Sequence, residues 1–92
     1  MWGRRAAGTM RPMPEFILHH RHEADDCAAA FAAWRGFASP LRGRSTTSSC
    51  LAGDHDVWWR VTASGVPAAL DLLPRFVAER TRVARVRDIL IP

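Results

Sequence analysis

Residues 16–27 read FILHHRHEADDC, placing three histidines and a cysteine within nine positions. Imidazole and thiolate are the donors that zinc and its neighbours among the transition metals prefer. Imidazole is also the side chain that exchanges protons near neutral pH. Two chemistries are therefore open, metal ligation and proton transfer. On an extended strand, residues two apart share a face. His20 and His22 then point together, while His19 points the other way with Ile17 and Arg21. Two imidazoles at this spacing make half a zinc site, which wants four donors at about 2.0–2.3 Å. Cys50, and His55 or Asp54 in the GDHD stretch at 53–56, are the residues able to complete it, alone or with a donor from a partner subunit. Glu23 or Asp25 could orient such ligands. The expected metal set is thus His20, His22, Cys50 and His55, with a transition metal such as zinc as the expected cofactor. His20 is also the candidate general base.

Each residue has a plainer role beside the chemical one. Polar side chains fill the end of a strand as it leaves a core. Asp and Gly dominate ordinary turns, so GDHD reads first as a turn. Cys27 falls on the apolar stripe of an expected helix and reads as core. The spacing of Cys27 and Cys50 matches no zinc-finger framework. Trp58 with Arg60 could form a stacking and anion-binding surface, although Arg over an aromatic is also ordinary packing. The chain carries no G-x-S-x-G, P-loop, G-x-G-x-x-G or C-x-x-C motif.

The elements that must position these residues follow from periodicity. EFILHHRH, 15–22, predicts a strand. Ala24, Cys27, Ala28, Phe31 and Trp34 repeat at helical spacing over 23–36, with Glu23, Asp25 and Asp26 in the first turn, where negative charge suits the helix dipole. TTSSCLA, 46–52, and VWWRVTA, 57–63, predict a hairpin around GDHD. Val57, Trp59 and Val61 are assigned to the face under the helices, which leaves Trp58 on the open face. Val66, Ala69, Leu70, Leu73 and Val77 form a second helical stripe, and Pro74 inside it predicts a kink or two short helices. VARVRDILI, 83–91, predicts the last strand. The order β-α-β-β-α-β predicts an α+β fold of the ferredoxin-like kind, a four-stranded antiparallel sheet with both helices on one face. Large aromatics on the bare face call for a cover. A second copy of the chain, sheet against sheet as in dimeric α+β barrels, is the expected partner.

At 92 residues the chain is one domain, expected to occupy 13–92. Residues 1–12 carry Arg4, Arg5 and Arg11 and no acid, and are expected to be a disordered basic extension or a misassigned start. The remainder holds ten arginines against nine acids, so the formal charge of +4 sits mostly in the tail and gives no reason to expect nucleic acid as a partner. The absence of Lys, Asn, Gln and Tyr points to a GC-rich genome of the actinobacterial kind. No apolar run has secretory or transmembrane length, so no membrane association is expected, and the thiols are expected to be reduced in the cytoplasm. Two functions remain. One is a small ligand- or metal-binding accessory protein acting as a homodimer, with a small molecule as the possible ligand. The alternative is a cofactor-independent dimeric α+β barrel enzyme, of monooxygenase or isomerase type, with a histidine base.

Overall fold

The computed structural model describes residues 13–92; the expected basic extension at 1–12 lies outside the described residues. The chain forms a four-stranded antiparallel sheet with a few short helices, an α+β architecture. The strands are β1 (Glu15–Arg21), β2 (Thr47–Ser48), β3 (Asp56–Thr62) and β4 (Thr81–Val86), in spatial order β2-β3-β1-β4. The helices are α1 (Cys27–Ala32), α2 (Val66–Leu70) and α3 (Arg75–Ala78). Two 3-10 turns, Ala24–Asp26 and Cys50–Ala52, complete the set.

Strict alternation along β1 fixes its two faces. Phe16, Leu18 and His20 are buried and Ile17 and His19 are less so. The register pairs Phe16 with Val61, Leu18 with Trp59 and His20 with Val57, so the inward residues of β1 and β3 meet. Phe16, Leu18, Val61 and Ala63 close a core with Ala69, Leu73 and Val77 from the helical segment, and Trp34 and Trp59 pack at its margin. The assignment of Val57, Trp59 and Val61 to the helix side matches this burial. Trp58 lies on the other face, stacked on His19 with ring centroids 5.1 Å apart.

Pro74 divides the second helical segment as its chemistry requires. It lacks the N–H that would continue α2, and it starts α3 instead. Three other elements differ from expectation. The first helix begins as a 3-10 turn with three residues per turn, which rotates its buried face to Ala30 and leaves Phe31 56% exposed. β2 is cut to two residues because Cys50–Ala52 coils into a turn. β4 pairs only to Val86, and Ile89, Leu90 and Ile91 lie exposed beyond it.

Candidate metal centre

The centre forms where the two middle strands run out of their ladder. Arg21 and Asp56 are the last pair of the β1–β3 register. The next residues outward, His22 and His55, remain joined by a backbone bond, with the His22 N–H donating to the His55 carbonyl at 3.1 Å. This leaves the two imidazoles side by side, ring centroids 5.2 Å apart. Each histidine is coupled to a cysteine through a 3-10 turn. After His22 the chain coils through Ala24–Asp26, closed by the Asp26 N–H on the Glu23 carbonyl at 2.9 Å, and delivers Cys27. Before His55 it coils through Cys50–Ala52 and reverses at Gly53, whose φ of 105° an L side chain would resist. Ser49 ties this loop to β3, its N–H donating to the Asp56 carbonyl at 2.9 Å and its hydroxyl accepting from the Asp56 N–H at 3.1 Å.

One donor atom from each of His22, Cys27, Cys50 and His55 then falls within 4.8 Å of every other. Four ligands around a tetrahedral zinc ion stand roughly 3.3–3.8 Å apart. The His22 Nε2 to Cys50 Sγ separation of 3.9 Å is already close to that value. Small side-chain rotations would close the remainder. A further sign lies in His55. Its Nδ1 is buried and has no hydrogen-bond partner among the described residues. A buried nitrogen without a partner is costly, and a metal ion is a partner that would satisfy it.

His20 stands one hydrogen bond behind this group. Its Nδ1 lies 3.2 Å from the Val77 carbonyl, which can only accept, so Nδ1 carries the proton. The same carbonyl also accepts from the Arg80 N–H at 3.0 Å and from the Thr81 hydroxyl at 2.7 Å, which fixes it in place at the end of α3. Burial holds the His20 imidazole below the usual histidine range, outweighing the Val77 carbonyl, and the ring is neutral. Its Nε2 must then accept the proton of His22 Nδ1, 2.8 Å away. The chain Val77–His20–His22 thus fixes the tautomer of His22 and turns the lone pair of its Nε2 toward Cys50. Ligating histidines are commonly oriented in this way through their other nitrogen.

Of the four expected metal residues, the structure brings together His22, Cys50 and His55 and sets His20 behind them. Cys27 joins the group from the end of the first 3-10 turn. The signal for it is a mirrored spacing, His22-x4-Cys27 and Cys50-x4-His55, in which each histidine lies five positions from a cysteine. Glu23, Asp25 and Asp54 are exposed. His19 belongs to the opposite face, where its Nε2 lies 2.7 Å from Asp56 Oδ1 and Arg21 binds both oxygens of the same carboxylate. Those donors, His19 first, hold Asp56 below the usual carboxylate range. Trp58 is stacked on His19, and Arg60 is paired with Glu15 and Asp88, so the structure does not bring either to the metal group.

The protonation states suit a metal ligand set. His22 is held below the usual range by burial first and then by neighbouring His55, so it is neutral without metal. The Cys27 thiol is pushed up by burial and by Cys50, so metal uptake must displace its proton. The two depressed imidazoles also have a consequence for the metal-free chain. Unfolded histidines bind protons near pH 6.5 that native His20 and His22 refuse. The contribution of these two histidines is therefore flat at higher pH and declines as pH falls below about 6.5. Thermal unfolding in chelator at pH 8 and pH 5.5 checks this: the lower melting temperature is expected at pH 5.5, and equal values would contradict the assigned states. No protein-family model matches the chain, and comparisons with curated proteins and with solved structures find no significant match, so the chemistry of the centre rests on its own geometry.

Proposed function

We propose that this chain is a small metal-binding protein whose His22, Cys27, Cys50 and His55 hold one zinc ion. The observation that carries this is the convergence of two imidazoles and two thiols on one point. Thiol donors select zinc over magnesium and calcium, which take oxygen ligands. Four protein donors leave no position for a reacting water, so the shell fits a structural or ion-holding role. The test is the metal content of tag-free protein purified without chelators. About one zinc per chain is expected; protein that contains no metal and takes none up overturns the reading.

The alternative, an enzyme with His20 as base, has less support. Both His20 nitrogens are engaged and the residue is 1% exposed, so neither faces a substrate. The strand order, with β1 and β3 central, supports placing the chain in the ferredoxin-like class. Free thiols at both cysteines suit a reducing compartment such as the cytoplasm.

We also propose that the chain acts as a homodimer. Its support is the exposure of Ile89, Leu90 and Ile91 just past an edge strand, where a second copy would cover them. Sedimentation of the full chain should give a dimer, and deletion of residues 89–92 a monomer. A full chain that sediments as a monomer sinks the proposal. Trp58→Ala with the dimer intact would remove the open sheet face as the interface.

A further inference from the structure

A cavity of about 390 Å³ opens beside the metal group, between the inner face of the sheet, α1 and the loop that precedes β2. That volume lies within the range of small-molecule sites. Three large aromatic side chains stand in its walls. Trp34 and Trp59 stand 5.7 Å apart at 48°, and Phe31 flanks the opening. The inner end is His20, whose ring nitrogens are already used by Val77 and His22. No polar group there competes for a flat apolar body.

The mouth has a different character. Arg42 and Arg44 line it and both are exposed. No carboxylate is among the lining residues. Arg42 reaches only the Phe37 carbonyl, at a long 3.5 Å, and Arg44 has no ion pair among the described residues. The nearby Thr46 hydroxyl is already committed to the Trp58 carbonyl. Ser48 also lines the cavity, its hydroxyl accepting from the Cys50 N–H, but the charged donors there are the two guanidinium groups, whose planar forks match a carboxylate. Arg21, Arg60 and Arg75 are engaged by Asp56, Glu15 and Glu79, whereas Arg82 and Arg85 of β4 have no ion pair among the described residues but do not line this cavity.

We propose that this cavity binds an aryl carboxylate, with the ring against Trp34 and Trp59 and the carboxylate held by Arg42 and Arg44. The site shares only His22 with the metal group, so it stands or falls separately from zinc. The probe is 2-naphthoate, titrated calorimetrically into the full chain as purified, with the neutral 2-naphthamide as its control. Saturable binding of one naphthoate per chain is expected, with the amide weaker by at least about tenfold, the scale of a charge-assisted hydrogen bond. The double variant Arg42→Gln/Arg44→Gln changes exposed residues only and keeps the fold. It should bring naphthoate down to the affinity of the amide. Equal binding of acid and amide, an unaffected double variant, or no saturable heat at millimolar naphthoate would each overturn the proposal. Trp58→Phe provides a second check. Trp58 lies on the other sheet face, so quenching of tryptophan fluorescence by naphthoate should persist in this variant; its loss would place the ligand on the wrong side of the sheet.

Discussion

Zinc added to the metal-free chain is expected to raise its melting temperature by roughly 15 °C or more when free zinc exceeds the dissociation constant a thousandfold. A ligand that binds only the native state at that ratio stabilises it by about 4 kcal/mol. For a domain of this size each kcal/mol moves the midpoint by about 4–8 °C. The four donors come from two separated stretches, His22 with Cys27 and Cys50 with His55, and only the native fold brings them together. Cys50→Ser should abolish the response. Cys27→Ser is the sharper test, because three donors would suffice if Cys27 were merely packed nearby. Differential scanning calorimetry with and without zinc reads both. A full thermal response in Cys27→Ser would reduce the centre to His22, Cys50 and His55. No response in the parent chain would leave the cluster without a metal role.

Replacing His20 by leucine should weaken zinc binding about 10- to 100-fold while leaving the stoichiometry at one, the usual cost of losing the group that orients a ligating histidine. His20 touches no donor atom of the metal group except through His22 Nδ1. The substitution leaves the buried His22 Nδ1–H short of a partner, whereas the Val77 carbonyl keeps the Arg80 N–H and the Thr81 hydroxyl. A buried group so abandoned costs about 1–3 kcal/mol. The metal-free variant should therefore also melt lower. Competition against a zinc-binding dye gives affinity and stoichiometry together. Loss of the bound ion altogether would make His20 a ligand itself; unchanged affinity would mean that the Val77–His20–His22 chain does not orient the site.

Much of the scaffold was legible in the residues. Phe16, Leu18 and His20 alternate as a half-buried strand must, and Pro74 breaks a helix wherever it falls inside one. The shared face of His20 and His22 follows from the same period of two. What periodicity could not supply was the phase of the first helix. A 3-10 turn over Ala24–Asp26 adds no apolar mark to the sequence, yet it turns Cys27 from the core stripe toward Cys50. The content of 46–52 suggested a longer strand, because propensity is blind to the Ser49–Asp56 bonds that close a turn there. The role of His20 depends on a carbonyl 57 positions away, which no local pattern encodes.

The loop between α1 and β2 contains no regular element, and the two cysteines of the centre flank it, Cys27 at the start of α1 and Cys50 just past β2. A metal ion at that point would join Cys27 to Cys50 in the native chain, so the loop could not open at its base without giving up a metal–thiolate bond. A domain this small has little core with which to hold such a loop otherwise. The loop so clamped is also the one that bears Arg42 and Arg44. The ion would therefore act as a mechanical anchor for the cavity's rim, setting how widely that rim swings without touching anything that enters it.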